Sequence, residues 1–297
     1  MSRNLSRACR PVASAFTLIE LLIVIAIITI LAGLLLPALA RSKGRAYGVQ
    51  CMNNQRQLIF AWQLYYTDFD DRLVYNLGGN VSNNRASVAP SGQPNWVDNV
   101  MDWTLSPDNT NTAFATTSLL GPYASHSIPI YKCPADHALS DVQRAAGWNA
   151  RVRSVSMNAM VGDPGNLLTG GANINNPDYR QFLKQGDIPK SSDIFVFLDE
   201  HPDSINDGYF IDKPAYPSTS SYGYTPASFE WLDLPGSYHN GAGSFSFADG
   251  HAEIHPWRYD NTKPPSVAEG ATLPMWINAN QTDDIYWVLK HMSILSN

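Results

Sequence analysis

Residues 16–40 read FTLIELLIVIAIITILAGLLLPALA. From Leu21 to Ala40 this is a run of twenty residues without a charge. At a rise of about 1.5 Å per residue, a helix of that length spans about 30 Å, the thickness of a bilayer's hydrocarbon core. The run is longer than the apolar stretch of an ordinary signal peptide, and it follows a basic terminus. Arg3, Arg7 and Arg10 are the charged residues of positions 1–15. A fully buried core helix is the competing reading, and a charge-free run of this length beside a basic terminus argues against it. Arg41, Lys43 and Arg45 follow the run, so charge bias alone sets no orientation. The short leader is the segment expected on the cytoplasmic side, because the bulk of the chain follows the helix.

One acid interrupts the apolar pattern. Glu20 sits between Ile19 and Leu21, and a carboxylate at the edge of a membrane span is a functional candidate by default, with snorkelling to the interface as the plain alternative. Pro37 lies inside the run; it removes an intrahelical hydrogen bond and is expected to bend or locally melt the helix.

Ala15-Phe16-Thr17-Leu18-Ile19-Glu20 resembles the prepilin processing motif of type IV pilins and type II secretion pseudopilins. The resemblance implies cleavage between Ala15 and Phe16 by a prepilin peptidase and methylation of the new Phe16 amine. Glu20 then becomes the fifth mature residue and Pro37 the twenty-second, matching the family's glutamate and its helix-kinking proline. The sequence departs from the family at Ala15, where glycine is usual; alanine is also small, so slower processing is expected. In the family's logic Glu20 pairs with the Phe16 amine of a neighbouring subunit, which sets register in a filament.

The chain has 297 residues and a formal charge of −6. Without the three leader arginines the 20 basic residues drop to 17 against 26 acids, a balance of −9. A body that acidic, with no basic patch beyond Arg41, Lys43 and Arg45, is not expected to bind nucleic acid. Cys9 lies in the leader, leaving Cys51 and Cys133 as a candidate disulfide in an oxidising compartment, or as two separate buried thiols.

The helix is expected to continue through Val49–Tyr65, where Leu58, Trp62 and Tyr65 recur at helical spacing, with Gly44 and Gly48 weakening the join. Asp68, Asp70 and Asp71 end it. Residues 76–111 read as long loops around Trp96 and Trp103. These tryptophans either pin the loops to the core or form a platform for sugars. A short helix is expected within 112–120, strands over 128–131 and 151–158, a brief helix over 178–184 and a buried strand over 194–198. A C-terminal amphipathic helix over 282–295 carries Ile285, Val288, Leu289 and Met292 on one face.

Two stretches carry candidate metal ligands. Asp199, Glu200, Asp203, Asn206 and Asp207 crowd oxygen donors before Gly208, a composition that suits Ca²⁺ although the spacing is not that of an EF-hand. The alternative is a polar turn. Residues 244–255, SFSFADGHAEIH, signal a hairpin with a two-residue turn at Asp249-Gly250. That turn pairs Phe247 with Ala252 and Phe245 with Ile254, placing all four on one apolar face. His251, Glu253 and His255 then share the other, as Zn²⁺ ligands or as a solvent-facing side.

His239, Asp249 and Gly250 form a His-x9-Asp-Gly segment that resembles one at the C-terminal end of prepilin-type proteins of Planctomycetes and Verrucomicrobia. Ser154–Asn158, Cys133-Pro134 and Phe247–His251 are similar to that group as well.

The expected fold is α+β and pilin-like: a long N-terminal transmembrane helix packed on a C-terminal antiparallel β-sheet domain with long loops. The expected organisation is a leader over 1–15, the membrane helix and motif over 16–40, its extramembrane continuation over 41–70, and a β-rich periplasmic or extracellular domain over 71–297. The function implied is a structural subunit of a type II secretion or type IV pilus-like filament, not an enzyme. Its partners would be a prepilin peptidase, an inner-membrane assembly platform, sister subunits and membrane lipid. No cofactor is required, Ca²⁺ excepted. Two rivals stand beside it. One is a membrane-tethered module that binds glycan or protein and does not polymerise. The other is a metal-dependent hydrolase using His239, His251, Glu253 and His255. GxSxG, HExxH, P-loop and dinucleotide fingerprints are all missing from the sequence.

Overall fold

A computed structural model describes residues 17–78, 95–212, 229–268, 275–278 and 280–296. The chain divides into two units, Met1–Lys43 and Gly44–Asn297. Helix α1, Leu18–Asp68, begins in the first and continues into the second without interruption, through Pro37, Gly44 and Gly48. Neither the proline nor the glycines interrupt the helix. The helix ends where Asp70 and Asp71 adopt positive φ (52° and 69°), a conformation that Asp tolerates better than most residues.

In the first unit the large apolar side chains from Leu18 to Leu39 are exposed. In the second, Leu58, Ile59 and Trp62 are fully buried and Tyr65 nearly so, whereas Phe60 and Leu64 face outward. That stripe follows the helical spacing read from the sequence.

The second unit is built on a five-stranded sheet in the order β5-β1-β4-β7-β8. Its strands are β1 Val155–Asn158, β4 Phe195–Asp199, β5 Tyr209–Phe210, β7 Ala242–Phe247 and β8 Ala252–Pro256. The β1/β4, β4/β7 and β7/β8 pairs are antiparallel, but β5 joins β1 in parallel, so the sheet is antiparallel-rich rather than purely antiparallel. Two small ribbons flank it. In one, β2 Leu168–Thr169 meets β3 Ala172–Asn173, across Gly170-Gly171, both with positive φ as a tight primed turn requires. In the other, β6 Phe229–Trp231 pairs with β9 Met275–Ile277.

Two apolar clusters form the core. In one, Leu58, Ile59, Trp62 and Tyr65 of α1 gather with Met157, Val196, Phe197, Trp96 and Tyr131. The other gathers Ile285, Val288, Leu289 and Met292 of the C-terminal helix with Phe195, Leu198, Phe245 and Phe247. A register shift between Phe195 and Phe197 explains why these two phenylalanines join different clusters although they are two residues apart. The C-terminal helix, Asp283–Met292, buries the four apolar residues expected of it. Its N-cap Thr282 makes no side-chain capping bond.

The β7–β8 hairpin exists, but its register differs by one from the expected pairing. Ser246 opposes Ala252 and Ser244 opposes Ile254. The Phe247 amide donates to the His251 carbonyl at 2.9 Å, closing a three-residue loop, Ala248-Asp249-Gly250. Gly250, not Asp249, takes the positive φ (97°), the pattern of a turn followed by a left-handed bulge residue. Because side chains alternate, one step of register exchanges the faces. Ala252 and Ile254 therefore lie with Ser244 and Ser246, and His251, Glu253 and His255 lie with Phe245 and Phe247. The histidines accordingly stack on aromatic rings: His251 on Phe247 at 4.3 Å, and His255 on Trp287 of the C-terminal helix at 3.7 Å.

Four local expectations change, the first being the strand expected over 151–158, which is confined to Val155–Asn158. Residues 129–131 form a 3-10 turn opened by Pro129, not a strand. Residues 178–184 are extended, with bridges from Tyr179 to Leu295 and from Phe182 to Val161, where a helix was expected. The helix expected within 112–120 is limited to Ala113–Thr116. Trp96 is fully buried, its indole N–H donating to Asn76 Oδ1 and the Gly208 carbonyl. Trp103 is half-buried under Arg151, whose guanidinium lies 4.0 Å from a ring centroid. Trp96 is thus a core anchor, leaving no pair of open indole faces for a sugar platform.

Candidate functional site

Two places in the molecule carry chemistry. The first is the start of α1. Ala15 and Phe16 lie outside the described residues. Thr17 precedes the helix, and its amide and hydroxyl both donate to Glu20 Oε2, at 2.9 and 2.7 Å. The Glu20 amide donates back to Thr17 Oγ1 at 3.2 Å. This is a reciprocal Thr-x-x-Glu capping box, which satisfies amides that the first helical turn leaves without partners. The carboxylate therefore has a local partner within its own chain. Its position on the first turn also places it at the positive end of the helix dipole.

The second place is buried in the Gly44–Asn297 unit. Four chain segments bring one side chain each to a common point: Cys51 from α1, Cys133 from the turn after Tyr131, Asp199 from the end of β4, and His239 from the turn entering β7. Their ligand atoms all lie within 4.8 Å of one another, and the residues are 1%, 0%, 0% and 7% exposed. Cys51 Sγ lies 3.0 Å from Asp199 Oδ2, His239 Nε2 is 3.5 Å from the same oxygen, and Cys133 Sγ is 3.5 Å from His239 Nε2. The Ser244 hydroxyl donates to Asp199 Oδ2 at 2.6 Å. Both thiols are free, so Cys51 and Cys133 come together without forming the candidate disulfide in this structure.

The local backbone explains the convergence. The Cys133 amide donates to Ser154 Oγ at 2.7 Å, and Asn54 on α1 donates to the carbonyls of Pro129 and Lys132, tying the helix to the Cys133 loop. The His239 turn passes through Asn240 and Gly241, both with positive φ, and closes with the His239 amide on the Ala242 carbonyl. Gly48 lets the helix approach: a Cβ there would stand 2.9 Å from Ile254 Cδ1 and 3.7 Å from His239 Nδ1.

Burial by itself would depress the imidazole pKa, but hydrogen bonds to Asp199 and Cys133 outweigh it and raise His239 to about 10. Burial pushes the Cys51 thiol well above its ordinary value. For Cys133, burial is outweighed by hydrogen bonds from Cys51 and His239, and its pKa falls. A cysteine–histidine–aspartate relay requires thiol and carboxylate on opposite ring nitrogens. Here both approach Nε2, and the Nδ1 has no hydrogen-bond partner. The group is arranged as donors around a shared point, not as a nucleophilic triad.

A sequence profile described as the prokaryotic N-terminal methylation motif matches residues 10–36. The chain is type IV pilin-like at its N-terminus. The match covers Phe16, Glu20 and most of the apolar run, and supports a type IV pilin-like precursor. It points to a structural subunit, and the long exposed apolar helix fits a single-pass membrane anchor as in pilins. No curated protein and no solved structure matches the pilin-like chain.

The other candidate ligands of this pilin-like chain disperse. Of the five residues read as a calcium loop, Asp199 belongs to the cysteine cluster. Glu200 accepts from Ser204, and Asp203 accepts from Ser266 and the amides of Val267 and Ala268. Asn206 Oδ1 accepts from the Asp207 amide and Asp207 Oδ1 from the Tyr209 amide. The hydrolase set also separates: His251 bonds Asp249 at 2.6 Å, and burial lowers His255 to about 4 beside Trp287. In the His-x9-Asp-Gly segment, His239 enters the cluster while Asp249 and Gly250 shape the hairpin loop. Asp249 Oδ1 accepts from the His251 amide.

Proposed function

We propose that this chain is a structural subunit of a type IV pilus-like or type II secretion pseudopilus-like filament. In this reading a prepilin peptidase removes residues 1–15 and methylates Phe16. The helix holds the subunit in the inner membrane with the Gly44–Asn297 unit outside the cytoplasm, until an assembly platform adds it to sister subunits. The observation that carries the reading is the methylation motif over residues 10–36. The exposed apolar surface from Leu18 to Leu39 supports it, because such a surface needs lipid or other helices as its surroundings.

Glu20 has two roles in this account. Within one chain it closes the capping box with Thr17. In the filament it would exchange part of that bonding for the Phe16 ammonium of a neighbour, a pairing that makes a carboxylate tolerable in lipid. Glu20→Ala is expected to leave membrane insertion intact and to reduce crosslinking between sister subunits by about tenfold or more, a difference of roughly 1.4 kcal/mol per contact. Glu20→Gln keeps an acceptor for Thr17 but loses the charge. Normal assembly of both variants would overturn the pairing role.

A further inference from the structure

We propose that Cys51, Cys133, Asp199 and His239 form a structural Zn²⁺ site that clamps helix α1 to the sheet. The proposal stands apart from the filament reading, since it concerns only the folded Gly44–Asn297 unit.

Geometry carries it first. Zinc binds thiolate, imidazole and carboxylate at about 2.0–2.3 Å and favours a tetrahedron in structural sites. At the tetrahedral angle those bond lengths place neighbouring donor atoms about 3.3–3.8 Å apart. The measured separations are 3.0 Å from Cys51 Sγ to Asp199 Oδ2, 3.5 Å from Asp199 Oδ2 to His239 Nε2, and 3.5 Å from His239 Nε2 to Cys133 Sγ. All four atoms fit within 4.8 Å. Set against the tetrahedral separations, closing on one ion requires shifts of no more than about 1 Å.

Burial and polar accounting carry it second. Asp199 is fully buried, and its second oxygen, Oδ1, has no hydrogen-bond partner among the described residues. His239, Ser244 and Cys51 all face Oδ2, so Oδ1 is the part of this buried carboxylate left without a donor, which is unfavourable. The sheet face is also polar here and nowhere else along β7: Ser244 and Ser246 point toward Cys51 and Gln55, while Phe245 and Phe247 point to the opposite cluster. Ser244 donating to Asp199 Oδ2 supplies the outer hydrogen bond that orients a ligating carboxylate.

The donor set favours zinc over the hard cations. Two sulfurs and an imidazole suit Zn²⁺, whereas Ca²⁺ takes six or more oxygens. On binding, both thiols and the His239 imidazolium lose their protons to solvent, and the two sulfurs bind as thiolates. The imidazole binds as the neutral form through Nε2, and the carboxylate through one oxygen. The centre then carries one net negative charge, from a 2+ ion and three anionic ligands. The ion joins residues as far apart as Cys51 and His239, 239 − 51 = 188 positions in the chain, and would stabilise the fold by mass action.

The test uses the full chain in mild detergent, purified under reducing conditions and incubated with zinc chloride before removal of excess metal. Elemental analysis is expected to give about one zinc per chain, the stoichiometry of a closed four-ligand site. Replacement by Co²⁺ is expected to give thiolate-to-cobalt charge transfer with tetrahedral d–d bands. In the wild type, which folds, Cys51 and Cys133 should resist a thiol reagent until a chelator is added. Cys133→Ser and His239→Gln should lose at least about tenfold in zinc affinity, while Cys9→Ser keeps it. Zinc at background in the wild type, or peptide mapping that finds a Cys51–Cys133 disulfide in chain isolated from cells, would overturn the site.

Discussion

Residues 18–39 and 44–68 belong to one helix yet find their surroundings in opposite ways. In the first stretch Ile28 and Leu34 are 58% and 71% exposed; in the second, Leu58 and Trp62 are fully buried. Both are rich in apolar residues, so hydrophobicity alone does not separate them. The difference lies in pattern. The first is apolar on every side, which suits a helix surrounded by lipid or by other helices. The second carries its apolar residues on one stripe, and Arg56, Gln57 and Phe60 face outward. One half of the helix is completed by the rest of its own chain, and the other half is written for partners outside it.

Truncation should divide the two halves most sharply. Trp62→Ala removes a fully buried indole and is expected to destabilise the domain by about 3–5 kcal/mol. Ile28→Ala should change it by less than about 0.5 kcal/mol. Urea unfolding of the full chain in detergent, followed by tryptophan fluorescence, measures both, and equal effects would break the comparison.

Glycines give a smaller contrast. A Cβ at Gly33 meets nothing within 4 Å, while one at Gly48 stands 2.9 Å from Ile254 Cδ1. Gly48→Val should therefore destabilise the domain by roughly 1–3 kcal/mol through overpacking, and Gly33→Val should leave its midpoint in place.

The smallest expected effect is electrostatic. Asp212 is fully buried, and burial raises its carboxyl well above 3.8, with Glu200 and Glu230 adding to the shift against hydrogen bonds from the Leu232 and Asp233 amides. A raised native pKa contributes stability that is fully present below the unfolded value and is lost as pH rises through the native one. The Asp212 contribution to stability should thus fall as pH rises above about 4, and the slope of stability against pH should be flatter in Asp212→Asn than in the wild type. An unchanged slope would remove Asp212 from the account.

The N-terminal half was legible because membrane thickness and processing chemistry act on contiguous residues: Phe16–Glu20 and the run to Ala40 can be read without a fold. The stripe at Leu58, Trp62 and Tyr65 and the C-terminal helix were legible from periodicity. The hairpin was located but slipped by one, because Asp-Gly serves both a two-residue turn and a three-residue loop closed by a left-handed glycine. Thr17 and Glu20 formed a readable capping box that the membrane argument overshadowed. The cluster was not legible as a whole. The sequence offers Cys51 and Cys133 as a pair of thiols, His239 as part of a His-x9-Asp-Gly segment and Asp199 as part of an acidic turn. Nothing in sequence spacing joins them, since Cys133 and His239 are 106 positions apart and meet only after the sheet and α1 are packed.

The central claim is that the exposed half of α1 is a processed pilin-type segment. The most direct measurement is the intact mass of the protein extracted from membranes of cells that carry a prepilin peptidase. Loss of residues 1–15 together with the gain of one methyl group on Phe16 is the predicted result, and it would hold despite alanine at position 15. A mass matching the uncleaved chain would contradict the account and leave the helix as a plain membrane tether.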